Sequence, residues 1–225
     1  MKPFSAQFFY LILFTIACQS VEKQPATLKE KYKDQFLIGA ALNLSQIQQK
    51  NPEETALILR EFNSITAENI MKWSLIHPSP NQYKFEPVDE FVDFGRNNNM
   101  FIIGHTLLWH QQVPSWVYQV SEEDTSLTDK ETLYSRIKEH VEAVAGRYRG
   151  KIDGWDVLNE ALEEDGSLRN SPFFRIAGAE YIEKVFEYAV QADPNAELYY
   201  NDYNMWKPRN EMVPSGWSKI CAIKE

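Results

Sequence analysis

The sequence predicts an α/β fold whose parallel strands close into a barrel. Three observations lead there. From Gln35 onward, short apolar runs alternate with amphipathic stretches at regular spacing, the pattern of strands joined by crossover helices. No glycine-rich phosphate loop follows the first run, where Gly39 stands alone. The apolar runs also end, one after another, in polar side chains suited to holding a ligand. The alternation by itself leaves an open doubly wound sheet in competition. The succession of polar tips favours the barrel, which builds its site from the carboxyl ends of its strands.

The elements follow in order. "FLIGAALN" (36–43) is a short apolar run closed by Asn43, a buried strand. "NPEETALILREF" (51–62) has Pro52 at a helix start and apolar residues at helical spacing. "SITAEN" (64–69) is a second strand. "PVDEFVDFGRNNN" (87–99) is a helix with Val88, Phe91, Val92 and Phe94 on one side and an asparagine-rich stop. "MFIIGHTLLWH" (100–110) is a third strand, and "DKETLYSRIKEHVEAVAGRYRG" (129–150) a long amphipathic helix ending at Gly150. "IDGWDVLNE" (152–160) is a fourth strand, "GAEYIEKVFEYAVQADP" (178–194) a helix stopped by Pro194, and "AELYYNDYN" (196–204) a fifth strand.

Composition bounds the function. The 225 residues are 44% apolar and 13% aromatic, enough to bury a large core. The net charge of −9 argues against nucleic acid and anionic membrane as partners. Six Trp and eleven Tyr suit flat ligands such as sugar rings, although core packing accounts for most single aromatics. Lys2 and the apolar run 8–14 form a leader over 1–18, too short to span a bilayer. Its end, Thr15-Ile16-Ala17-Cys18, resembles a bacterial lipoprotein cleavage box, so a lipid anchor on Cys18 is the one expected membrane contact. Residues 19–34 are polar and read as a tether. Cys18 and Cys221 are the two cysteines, and the four His are scattered without metal spacing, so no metal or organic cofactor is expected.

Chemistry concentrates at the strand tips. Asn43, Glu68-Asn69, His105, Asn159-Glu160 and Asn201-Asp202 close successive strands. Glu160 could merely complement a helix N-terminus. Yet Glu163, Glu164 and Asp165 already supply that charge. At a barrel mouth, burial beside aromatics and other carboxylates is what a catalytic acid requires. Neighbours on a strand face opposite ways, so Asn159 and Glu160 reach one ligand only if the chain leaves strand geometry there.

The stretches "ITAENIMKW", "GHTLLWHQQVPSW", "WDVLNEA" and "LYYNDYN" together resemble the N-terminal signatures of glycoside hydrolase family 10, typically endo-β-1,4-xylanases, over 35–213. The resemblance implies a partial TIM (β/α)8 barrel with about five of eight βα units. It implies Glu160 as general acid/base and Asn159 as the residue holding the C2 hydroxyl of the reacting sugar. Glu68, Asn69 and Lys72 would bind glycone sugars. His105, Trp109 and Gln112 would wall the reacting sugar, and Asn201, Tyr203 and Asn204 would line the cleft beside the acid. A cis peptide at His105-Thr106 is implied as well. Tyr83, Phe85, His77 and His140 read as packing, and "EEDTSLTDKE" as a solvated loop and helix start.

Hydrolysis with retention of configuration needs a second carboxylate about 5 Å from the first. The resemblance puts it in a "TELD"-like stretch on a seventh strand, and no such stretch occurs in the sequence. Glu197 starts its strand, and Glu211 falls after the fifth. The tail "PSGWSKICAIKE" (214–225) has no clear apolar face, so a frameshift or early stop near Val213 is expected, and with it weak stability and no hydrolysis by the chain alone. A noncatalytic xylan-binding surface protein and a β-1,4-glucanase of the same fold are the alternatives.

Overall fold

The computed structural model of the protein describes residues 25–203. In chain order these form α1 (Leu28–Lys31), β1 (Gly39–Leu42), α2 (Leu44–Ile47), α3 (Pro52–Glu61), β2 (Ser64–Ala67), α4 (Trp73–Ile76), α5 (Glu86–Asn97) and β3 (Phe101–Trp109). Then come α6 (Lys130–Arg147), β4 (Gly154–Asn159), α7 (Pro172–Ala177), α8 (Glu180–Ala192) and β5 (Glu197–Asn201).

The five strands are parallel and lie in the order β1-β2-β3-β4-β5. That order decides between the two closures. A doubly wound sheet reverses its order at a switch point, whereas each strand here sits beside its predecessor, as in a barrel. The described residues form a partial (β/α)8 barrel.

Local chemistry places the helices. Pro52 opens α3 behind an Asn51 cap whose Oδ1 accepts from Glu53 and Glu54 N–H. Asp129 caps α6 by accepting from Thr132 N–H at 2.9 Å. The buried faces of α5 (Val88, Phe91, Val92), α6 (Leu133, Ile137, Val141, Val144) and α8 (Ile182, Val185, Ala189) join Ile65, Ile102, Leu107, Leu108 and Val157 of the sheet in one apolar core. Two glycines let the sheet accept large rings. A Cβ on Gly104 would stand 2.2 Å from the Trp155 ring, and one on Gly154 would stand 2.5 Å from Tyr199.

The structure corrects three expectations. Part of the 19–34 tether is ordered against the barrel. Thr27 and Glu30 form a capping box around α1, Leu28 N–H donates to Glu61 at 2.7 Å, and Lys29 Nζ donates to Leu59 O at 2.6 Å. The first strand starts at Gly39, not Phe36, because Gln35 and Phe36 N–H turn back onto Tyr32 O and leave Phe36 and Leu37 exposed. Asn43 is a helix cap. Its side chain accepts from Gln46 N–H, so this polar tip serves α2. The leader, Cys18, Asn204 and the 214–225 tail lie outside the described residues.

Candidate active site

Three strand tips come abreast. Trp109 on β3 pairs in register with Asn159 on β4, which pairs with Asn201 on β5. One extra residue in β3 between His105 and Leu108, and one in β4 between Asp156 and Leu158, shift the register just before these tips. Such bulges re-aim the side chains beyond them.

Glu160 follows at φ 53°, the left-handed region, which costs a non-glycine residue about 1–2 kcal/mol. Neighbouring groups hold it there. Its N–H donates to Asn201 O at 2.8 Å, its carbonyl accepts from Arg169 Nε at 2.9 Å, and the next N–H, of Ala161, donates to the Tyr200 hydroxyl at 3.1 Å. The left-handed turn breaks strand alternation at this point. Asn159, 3% exposed, brings its amide to that of Asn201 at 2.8 Å. The half-buried Glu160 carboxylate accepts from Trp109 Nε1 at 2.9 Å.

Across the mouth, Lys72 caps α4. Its ammonium donates to Asn69 Oδ1 at 3.2 Å and lies 4.9 Å from the centre of the Trp109 ring. Burial pulls the Lys72 pKa below the usual lysine value, while the carboxylates of Glu68 and Glu160 work the other way. Glu68 and Asn69 are exposed at the end of β2. A ligand at this mouth meets a lysine, an asparagine and a glutamate on one side. On the other it meets an indole, an asparagine and a glutamate.

The amino-acid sequence supplies the remaining observation: residues 27–215 match the family model of glycosyl hydrolase family 10. The chain belongs to that family. A β-1,4-xylanase of Dictyoglomus thermophilum is 43% identical over 214 residues, an alignment covering 92% of this chain and 57% of that one. An exoglucanase, XynX, of Acetivibrio thermocellus is 39% identical over 192 residues, covering 83% of this chain and 18% of that one. Among solved structures, an intracellular xylanase of Thermoanaerobacterium saccharolyticum, a mutant in complex with xylotetraose, superposes with a TM-score of 0.75 at 38% identity, covering 80% of this chain and 57% of that one. The chain thus spans little more than half the length of the first of these relatives, and less of the second.

Within this family 10 chain, the residues singled out by sequence divide into groups. Lys72 contacts Asn69 and Trp109, Trp109 contacts Glu160, and Asn159 contacts Asn201. His105 hangs on β4 instead: its Nδ1 is 2.8 Å from Asp156 Oδ2, and the His105-Thr106 peptide is cis. Gln112 is exposed at φ 46°, and its carbonyl accepts from Ser74 N–H at 2.8 Å, which ties the loop after β3 to α4. Tyr203 is exposed, with its hydroxyl 3.3 Å from Arg169 Nη2.

Four participants were not read from the sequence. Asp156 holds His105, and Tyr200 holds the Ala161 amide while its hydroxyl donates to Asp202. His110 flanks Glu160, with its pKa drawn down by burial first and then by the Arg169 cation, against Glu163 and Asp202. Arg169 binds the backbone of Glu160 and pairs with Glu163 at 2.9 Å. A lone cation just beyond a run of acids was the available signal for Arg169. The other three needed the fold. Among the described residues no group of three or more His, Cys, Asp or Glu side chains could hold a metal ion.

Proposed function

We propose that this chain forms the acid/base side of an endo-1,4-β-xylanase site, with Glu160 as general acid/base. The observation behind the proposal is the left-handed turn that sets Glu160 against Trp109 Nε1, next to Asn159 and facing Lys72. In the first step, Glu160 gives its proton to the glycosidic oxygen as the bond to the sugar breaks. In the second it takes a proton from the water that releases the sugar. Asn159 bonds the C2 hydroxyl, a contact that strengthens in the transition state. Glu68, Asn69 and Lys72 bind hydroxyls of the preceding sugars, with Trp109 and His105 as walls. A second carboxylate, about 5 Å from the first, supplies the nucleophile for retention of configuration. No cofactor enters these steps. The substrate is an extracellular polymer, which fits a secreted or surface protein. Membrane fractionation with and without Cys18→Ser tests the anchor, and equal soluble yield from both would reject it.

The test is Glu160→Gln in the complete catalytic barrel with the second carboxylate present. Activity on xylan should fall by roughly 10²–10⁴. Activity on 2,4-dinitrophenyl xylobioside, whose leaving group departs unprotonated, should keep its kcat/KM. Undiminished xylan hydrolysis would reject the assignment. The likeness to an exoglucanase supports a second reading, a β-1,4-glucan substrate. Faster release of sugar from carboxymethylcellulose than from xylan would favour it.

A further inference from the structure

We infer that Arg169 is a positioning residue for Glu160: its guanidinium locks the left-handed backbone that aims the carboxylate. The inference rests on the role proposed above for Glu160.

Three polar groups define the backbone on either side of the Glu160 side chain. The N–H of Glu160 and the N–H of Ala161 are both taken up by β5, through Asn201 O and the Tyr200 hydroxyl. The carbonyl between them is held by Arg169 Nε at 2.9 Å. A glutamate at φ 53° relaxes toward ordinary geometry unless its surroundings prevent it. Turning that carbonyl would swing the residue and carry the carboxylate off Trp109 Nε1.

Arg169 is built to resist the turn. Its Nη2 donates to Leu162 O at 2.7 Å and its Nη1 to Glu163 Oε2 at 2.9 Å, while its own N–H donates to Ala161 O at 2.8 Å. Leu162 and Leu168 bridge antiparallel, so the segment after Glu160 doubles back and returns Arg169 to the strand tip. The side chain is 17% exposed, and its fork reaches carbonyls and a carboxylate in different directions at once. A lysine, with one ammonium on a flexible stem, reproduces the charge and not the fork.

The experiment compares Arg169→Lys, Arg169→Gln and Glu160→Gln in the complete catalytic barrel. Folding is checked by circular dichroism, and kcat/KM is measured on phenyl and 2,4-dinitrophenyl β-xylobiosides. A misaimed acid harms only the substrate that needs protonation. Both Arg169 variants should lose about 10- to 100-fold on the phenyl substrate, the scale of an ångström of misplacement, and keep activity on the dinitrophenyl one. An equal fall on both substrates in a folded variant, or no fall on the phenyl substrate, overturns the inference. If Arg169→Gln does not fold, Arg169→Lys decides alone. If Glu160→Gln itself shows no dependence on the leaving group, the acid/base assignment fails and the inference fails with it. If Glu160→Gln shows that dependence and the arginine variants do not, only the inference fails.

Discussion

At the amino-terminal ends of the strands, Asp153 accepts from Ile102 N–H at 2.8 Å and pairs with Arg96 at 3.1 Å. Asp193, 1% exposed, accepts from Gly150 N–H at 3.0 Å and Asn195 N–H at 3.2 Å. At the carboxyl ends, Glu160 receives an indole N–H, and Glu68 flanks Lys72 at an open mouth. Both ends are acidic, so charge does not distinguish them. The partners do. Amino-end carboxylates spend their oxygens on backbone amides, whereas at the carboxyl end neighbouring groups fix the backbone of Glu160 and leave its carboxylate oxygens to face a side chain and the cleft.

Four substitutions or conditions test that contrast, from the largest expected effect down. In the complete catalytic barrel of the proposed enzyme, Glu160→Gln should remove roughly 10²–10⁴ of xylan turnover and shift the urea unfolding free energy by less than about 0.5 kcal/mol. A large stability loss would put Glu160 with the structural acids. Asp193→Ala should do the reverse. Two partly buried hydrogen bonds are lost, at roughly 0.5–1.5 kcal/mol each, while the folded enzyme keeps its turnover. Loss of kcat without loss of stability would erase the distinction.

The third test concerns a polar pair at neither end. His77 and His140 are fully buried with their Nδ1 atoms 3.2 Å apart, and the His140 ring stacks on Trp73 at 3.8 Å. Burial pushes His77 down to about 4 and His140 well below its ordinary value, with the His77 charge adding to the latter. Both stay neutral when folded and take up protons when unfolded. Their contribution is therefore complete above about pH 6.5 and is lost as pH falls toward 4. The slope is at most about 1.4 kcal/mol per pH unit for each histidine. Urea midpoints at pH 7.5, 6 and 5 should show the decline, and His140→Gln should flatten it. The smallest effect belongs to Arg96→Met, under about 1 kcal/mol, because the pair is partly exposed and Asp153 keeps its backbone donor.

The order of the strands and of the four long helices was legible because each of these elements carries its own signal, whereas the short helices α1, α2, α4 and α7 span too few residues to show a period. The α5 helix has its apolar face and the asparagines that stop it, with Asn98 as cap and Asn99 at φ 53°. The Asn43 tip misled because an asparagine closing a strand and one opening a helix look alike until the next turn is seen to fold back on it. Tyr200 and Asp156 were invisible as site residues. One lies inside a strand and acts through its hydroxyl on an amide just past the end of the neighbouring strand. The other serves a histidine 51 residues away in the chain.

By itself the sequence determined the alternation of strands and helices, the run of polar strand tips that favoured a barrel over an open sheet, and the pairing of an asparagine with a glutamate at residues 159 and 160. Period and punctuation are local properties, and a chain carries them before it folds. Only the tertiary structure decided that Glu160 turns left-handed, that Trp109 and Asn201 come abreast of Asn159, and that Arg169 returns to grip the turn. Those facts depend on strand register and on hydrogen bonds between segments distant in the chain, which no local pattern encodes.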